Sequence, residues 1–450
     1  MNLKPFIISV AAALAAASGA SAQSLRDLQD LFGRQQNRGQ EKAVKVDYNI
    51  DFQYFFDLRS FGISDELFMS SRTYHVARFS PSASLIFDQN RNITHRAVVG
   101  LDITKDLGIN PTSKVTYSEP EHQSSLRNTD LFKDIFFYYQ VSARTGPGRL
   151  DFYAGIHPRS VLGGDYTRAI FADDVSYYDP NLEGMTLKFT APKFSSELTF
   201  DVIGTKGVDR IGSEMAFTAG SYRPLDWLSL GWSGAYTHVS GNYLYECDVD
   251  NVLLNPYLRF DIGRFLHMQE FSLKVGPVAS YQYDYSLQPS GDEEDGYAEY
   301  WESPRYPLGV EAILNIRHWN LGIENTFYYG DNLMPYRSSY YADITDAAYY
   351  VPALYNGEEF YFTRRNGPAW YDRVELYYNP LSTGFVSAKL SAVGHLIKPA
   401  TDLGPFIGWQ AKATLLFNLE SFRHPREVSQ SGNSRRRAAA NSSDIPLISL

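Results

Sequence analysis

The sequence predicts an all-β protein, a transmembrane antiparallel up-and-down β-barrel of about sixteen strands, and three observations predict it. The last apolar run, IGWQAKATLLFNL from Ile407 to Leu419, places Ile407, Trp409, Ala411, Ala413, Leu415, Phe417 and Leu419 on one side of an extended chain. Gly408, Gln410, Lys412, Thr414 and Asn418 fall on the other, and only Leu416 breaks the polar side. Alternation of period two is a β signal, and a tilted membrane-crossing strand needs about 9–11 residues with one face for lipid and one for a wet lumen. Second, beyond the N-terminus no apolar run approaches the roughly 18–20 residues of a membrane helix. Third, aromatics make up 15% of the chain, with 33 Tyr and 28 Phe, an excess suited to strands and to interfacial girdles.

Residues 1–22 read as a signal peptide. Lys4 supplies the positive start, Phe6 to Ala17 an apolar stretch too short to span, and Ala20-Ser21-Ala22 a small-residue cleavage site. Residues 23–43 read as a polar periplasmic segment with Leu25, Leu28, Leu31 and Phe32 at helical spacing. The net charge of -10 argues against nucleic acid, since phosphate binding draws on a basic surface. Cys247, the single cysteine, has no partner within the chain, so neither a disulfide framework nor a cysteine metal site can be built.

The barrel is expected over residues 44–422. In the first strand Val44, Val46, Tyr48, Ile50, Phe52 and Tyr54 point outward, against Lys45, Asp47, Asn49, Asp51 and Gln53 inward. Later strands are expected at 74–88, 92–104, 133–142, 149–157, 185–191, 197–204, 212–222, 227–240, 252–263, 271–283, 306–317, 319–329, 370–379, 385–397 and 406–419. Most connections alternate as an up-and-down barrel requires: short links at 89–91, 143–148, 192–194, 223–226, His318 and 380–384, long ones at 57–73, 105–132, 158–184, 284–305 and 330–369; the exceptions are short outer links after Gly204 and Ile397 and a longer periplasmic link at 264–270. Residues 423–450, with Arg435-Arg436-Arg437 in a Ser/Asn/Ala-rich setting, read as a disordered basic tail.

An ionised side chain facing hydrocarbon at mid-depth costs about 2–4 kcal/mol, so the charges must share the inner face. That parity places Lys45, Arg96, Arg149, Asp151, Lys188, Arg259, Glu311, Arg373 and Glu375 on a wet lumen wall. Further charges on that face include Lys274, Glu324, Lys389 and Lys412. Pairs two apart on one strand, Arg149/Asp151, Arg259/Asp261 and Arg373/Glu375, point the same way; they brace the wall or select solutes. The nine histidines are scattered without metal-ligand spacing, and no catalytic motif stands out, so neither catalysis nor a cofactor or metal is expected. His75, His95, His157, His238 and His395 are the positions from which a barrel enzyme would have to draw.

The third long link, 158–184, holds Arg159, Gly163-Gly164, Asp165, Arg168, Asp173-Asp174, Tyr177-Tyr178 and Asp179. In strand number and loop order the chain resembles the outer-membrane porins, sixteen-stranded barrels whose third outer loop folds inward and sets an acidic edge against a basic wall. The resemblance implies a pore-constriction loop with Asp165, Arg168, Asp173, Asp174 and Asp179, its four aspartates facing Lys45, Arg96, Arg149 and Lys188. It implies a Gram-negative cell outer membrane as the location and passive diffusion of small polar solutes as the function. Outer-membrane lipid and the barrel-assembly machinery are the implied partners, and association with like copies is compatible with it. The alternative is a non-conducting barrel, a surface adhesin or assembly subunit. The chain departs from the family pattern where Phe422 is followed by a long polar tail. Two outer loops carry further signals: the Tyr-rich link 330–369 with Arg364-Arg365, suited to glycans, and the acidic run Asp292-Glu293-Glu294-Asp295, suited to a divalent cation.

Overall fold

Alternating apolar and polar residues from position 45 onward leave each strand one greasy and one wet side, and closing the sheet on itself satisfies both along with every backbone edge. The computed structural model describes residues 44–62, 71–107, 135–173, 175–204, 212–240, 247–288, 299–333, 357–358, 361, 368–397 and 404–419. Its eighteen strand segments are β1 (Lys45–Phe61), β2 (Arg72–Asn90), β3 (Ile93–Leu101), β4 (Ile103–Asp106), β5 (Ile135–Thr145), β6 (Gly148–Pro158), β7 (Asn181–Thr190), β8 (Phe194–Gly204) and β9 (Gly212–Leu225). Then follow β10 (Leu228–Ser240), β11 (Cys247–Asp261), β12 (Glu270–Gln288), β13 (Glu299–Arg305), β14 (Leu308–His318), β15 (Leu321–Gly330), β16 (Ala369–Ser382), β17 (Val386–Ile397) and β18 (Phe406–Asn418).

The segments make sixteen staves, because β3 with β4 and β13 with β14 are each one interrupted strand. Both β3 and β4 pair with β2, and both β13 and β14 with β12. The first break falls at Asp102, whose carboxylate accepts from Ser80 Oγ (2.9 Å) and Asn181 Nδ2 (2.9 Å). The second falls at Tyr306-Pro307, where proline has no N–H to donate to the ladder. All pairings are antiparallel between neighbours, and β1 meets β18 in the register Phe52↔Phe417, closing the cylinder.

All sixteen expected strands exist, with longer upper ends than alternation suggested. β1 runs on to Phe61, inside the expected link 57–73, and β13 lies inside the expected link 284–305. Phe55 and Phe61 are buried inside and interrupt the simple greasy-out pattern at the upper end of β1, which is why the sequence reads as loop there. The segments 1–43 and 423–450, Asp174, Asp292–Asp295 and Arg364-Arg365 lie outside the described residues.

The outer face carries Leu198, Phe200, Leu254, Val310, Phe327 and Leu376, all exposed. Trp227, Phe265 and Trp319 mark the rim with the short turns; Tyr281 packs at a tilt against Tyr306 (5.5 Å between centroids) nearer the other end. A closed sheet with exposed apolar side chains around its wall and aromatics at its rims is built for a bilayer. The long links therefore face the medium and the short ones the periplasm.

Candidate functional site

Segment 159–180 does not stand above the barrel; it lies inside. It leaves β6 through a 3-10 turn at Arg159–Val161, crosses the lumen, and returns through a one-turn helix at Val175–Tyr178. Arg159 anchors its two ends to one another, pairing with Asp179 and donating to the Asp179 carbonyl (2.8 Å), and reaches Asp201 of β8 (3.1 Å). Next, the Glu197 carboxylate on β8 gathers three donors from the loop: Gly163 N (2.9 Å), Gly164 N (3.0 Å) and Tyr166 Oη (2.8 Å). Gly164 is required by that approach, since a Cβ there would sit 2.3 Å from the Ala219 Cβ and 2.7 Å from Glu197 Oε1.

Beyond this point the loop is latched to the opposite wall. Asp165 pairs with Arg259 of β11 (2.8 Å) and Lys274 of β12 (3.0 Å). Thr167 donates to Glu311 of β14 (2.6 Å), and Arg168 pairs with Asp173 and with Glu324 of β15 (2.9 Å). Asp173 in turn pairs with Arg373 of β16 (3.3 Å) and Lys412 of β18. Tyr177 packs on Phe55 (4.9 Å between centroids), and Arg78 of β2 donates to the Ser176 carbonyl (2.8 Å). Ala169, Ile170, Phe171, Ala172 and Val175 are fully buried, joined by inward-facing Met215, Phe217, Leu253 and Val278. Tyr361 and Glu358, from the link between β15 and β16, close over this cluster: Tyr361 Oη donates to Glu311 and Glu358 N to the Arg168 carbonyl (2.8 Å).

Charge on the latch follows its surroundings. Burial pushes the Asp165 carboxyl up, but Arg259 and Lys274 more than offset it and leave it at about 2. Asp173 is likewise raised by burial and pulled well below the usual carboxylate range, chiefly by Arg168 and then Lys412 and Arg373. Asp179 goes the other way: burial, with Asp201 nearby, lifts it despite Arg159. A carboxyl depressed in the docked loop stabilises docking above its free pKa of about 4, and that stability is lost as the pH falls toward 2. A raised one favours docking once protonated. The loop should therefore stay docked from pH 7 to pH 5 and loosen as the pH falls from about 4 toward 2; exchange of the loop's backbone amides, corrected for the intrinsic rate and followed from pH 7 to pH 2.5, should be flat and then rise. A rise already at pH 5 would contradict this assignment.

The structure places the nine expected wall residues on the inner face, where the same-strand pairs Arg149/Asp151 and Arg373/Glu375 form. Glu311, Arg373, Glu375 and Arg259 take part in the latch or its support, with Glu375 held by Arg373 (2.8 Å) and Lys389 (2.7 Å). Lys188 reaches the Val161 carbonyl at the loop root and Glu197 (3.7 Å). Arg149 pairs with Asp151 (2.7 Å), and Asp151 stands directly across from Lys188 in the β6–β7 ladder. Among the described residues, Asp165, Asp173 and Asp179 pair with cations other than the expected Lys45, Arg96, Arg149 and Lys188, and Asp174 lies outside them. Lys45, Arg96 and Arg149 sit at the periplasmic ends of β1, β3 and β6, below the loop, whereas the loop enters from the outer end and crosses to β11, β12, β16 and β18. The cations it meets are Arg259, Lys274, Arg373 and Lys412.

Glu197, Arg78, Glu358 and Tyr361 were not legible as site residues. Glu197 begins the stretch read as a strand, and nothing in its neighbours marks it as a cap for another loop. The inward apolar set of Met215, Phe217 and Leu253 was also missed; MAF within β9 has apolar residues on both faces, the one available signal. Among the histidines, His157 bonds Thr186 (2.8 Å), His95 stacks on Phe87, His75 meets Tyr54 (2.8 Å), and His395 bonds Tyr371. His238 lies 2.9 Å from Asp250 near the outer rim.

The decisive geometry is the closed sheet, apolar outside and charged within. The chain is a sixteen-stranded outer-membrane β-barrel. No protein-family model and no curated protein matches its sequence. Among solved structures it is similar to a loop-deletion form of OmpT, an outer membrane protein of Vibrio cholerae, at 9% identity over 84% of this chain and 99% of that one, with a TM-score of 0.44. It is similar to OccAB3 of Acinetobacter baumannii (8% identity, 83% and 99% covered, TM-score 0.37) and to OmpF of Salmonella typhi (9%, 83% and 98%, 0.39).

Proposed function

We propose that this barrel is a porin-like channel for passive diffusion of small polar solutes, with segment 159–180 as its constriction. The observation that carries the reading is the latched loop itself: aspartates on a loop inside the lumen, set against Arg259, Lys274, Arg373 and Lys412 on the far wall. A transverse field of this kind sorts polar solutes by charge and dipole. Asp165 and Asp179 keep 32% and 36% of their side-chain surface open. The reading includes no catalytic step and no cofactor. It implies the barrel-assembly machinery as a partner in biogenesis and admits association of like copies.

Purified, refolded barrel in a planar bilayer should give discrete single-channel steps that scale with salt concentration. Silence in every salt tried would remove the channel reading. One feature favours the alternative of a non-conducting barrel acting as an adhesin or assembly subunit: the apolar run Ala169–Ala172 is buried in the lumen against wall side chains. Closed-pore behaviour together with glycan or protein capture at the outer loops would support that second reading.

A further inference from the structure

Below the loop, at the periplasmic mouth, the wall encloses a second feature that the constriction does not use. A vestibule of about 1010 Å³ lies between the lower ends of β2, β3, β5 and β6, and four arginines line it: Arg91, Arg96, Arg144 and Arg149. Gln140, Ser142 and Thr94 add amide and hydroxyl groups. Lys45 stands beside Ile86 at the rim, in register on β1.

The carboxylates near this space are few and already engaged. Asp88 accepts from Thr94 Oγ1 (2.7 Å); Asp151 accepts from Arg149 Nε (2.8 Å) and pairs with its Nη2 (2.7 Å); Asp47 Oδ1 accepts the Tyr48 N–H (2.9 Å). Among the residues lining the space, four arginines face one carboxylate, Asp88, in a chain whose net charge is -10. Neither Arg91 nor Arg144 has a side-chain ion pair among the described residues. Such a local excess is not inherited from the protein's overall charge, which would repel anions; it must be read as a property of this mouth. Guanidinia around one water-accessible space offer forked donors that match carboxylate or phosphate oxygens two at a time, with Nε and Nη2 of Arg149 already taken by Asp151.

We infer that the vestibule is a binding site for small polyanions bearing carboxylate or phosphate groups, held by Arg96 and Arg144 with Arg91 and Arg149 at its edges. The inference deepens the channel reading by naming a solute class, but the site exists whether or not the barrel conducts. Its affinity falls with ionic strength, since the screening length shrinks from about 10 Å at 0.1 M salt to about 3 Å at 1 M.

The test is titration calorimetry of the full folded barrel in an uncharged detergent at pH 7 and low salt, with citrate and inorganic phosphate as anionic probes and lysinamide as the cationic control. Citrate or phosphate should bind and lysinamide should not, and which anion binds more tightly distinguishes carboxylate from phosphate recognition. Arg96→Gln with Arg144→Gln should weaken binding at least tenfold, and Arg96→Lys with Arg144→Lys should recover part of it. Folding of each variant is verified by heat-modifiable gel mobility, and if the glutamine pair does not fold, the lysine pair and the loss of binding in 0.5 M NaCl stand in for it. Equal uptake by wild type and the glutamine pair, equal uptake of lysinamide, or salt-independent uptake would overturn the site. Citrate binding by a barrel that is silent in the bilayer would uphold the site and remove the channel; conductance without citrate or phosphate binding would do the reverse.

Discussion

Asp165→Asn together with Asp173→Asn is expected to release the inner loop and raise single-channel conductance at least twofold. The two carboxylates hold separate sets of cations: Asp165 holds Arg259 and Lys274, and Asp173 holds Arg168, Arg373 and Lys412. Lys274 and Arg373 are almost wholly buried, so each loses a counter-charge it cannot replace with water. Removing one partner of a buried pair costs about 3–5 kcal/mol. Asp165, about a third exposed, contributes less than that because solvent screens it. Even about 3 kcal/mol exceeds the ~1.4 kcal/mol that shifts an equilibrium tenfold, and it falls on a single segment. The barrel staves keep their ladders, so the folded band should persist while trypsin gains access to Arg168. Native conductance and a native digestion pattern in the double variant would mean that the latch does not hold the loop.

Arg373→Met is expected to destabilise the barrel itself by about 3–5 kcal/mol. Arg373 is 1% exposed and lies within reach of Glu375 (2.8 Å), Asp173 (3.3 Å) and Glu324 (3.4 Å). Methionine fills similar volume without charge, so the change removes the guanidinium while largely preserving packing. Glu375, itself 1% exposed, then keeps only Lys389. The loss should appear as a lower temperature for conversion of the folded to the unfolded gel band. Adding Glu375→Met and Lys389→Met should restore part of it, because removing the linked charges together is far less costly than stranding one. A single variant as heat-resistant as wild type, or a triple variant no better than the single, would show that this cluster does not brace the wall.

The wall was legible in the sequence because the bilayer enforces it residue by residue. Period-two alternation placed Arg259, Glu311, Arg373 and Glu375 on the inner face, and the structure has them there. Loop order also pointed to segment 158–184 as the one to fold inward. What alternation cannot contain is depth along the barrel axis. Lys45, Arg96 and Arg149 share a face with Lys412 and Arg373, yet they stand at the opposite end of the cylinder. Which cation meets which aspartate depends on how far the loop descends and which staves it crosses, a property of the closed sheet. Apolar residues inside were hidden for a related reason: Phe55, Phe217 and Leu253 pair with a loop distant in sequence, so no local pattern announces them.

The seam between β1 and β18 bears on how such a wall can come into being. Its first and last strands are neighbours, joined by a ladder from Asp51↔Asn418 to Phe61↔Gly408 and by a side-chain bond from Asn418 to Asp51. Until the C-terminal strand has been delivered, β1 has only β2 beside it and its other margin stays unpaired, a poor state for hydrocarbon. Insertion is thus all-or-nothing with respect to chain length: a truncation before Phe406 leaves two raw margins, not a smaller pore. Both ends of the wall also emerge on the same periplasmic side, so a circularly permuted chain, with those ends tied and a new opening cut in another turn, preserves every rung of the ladder.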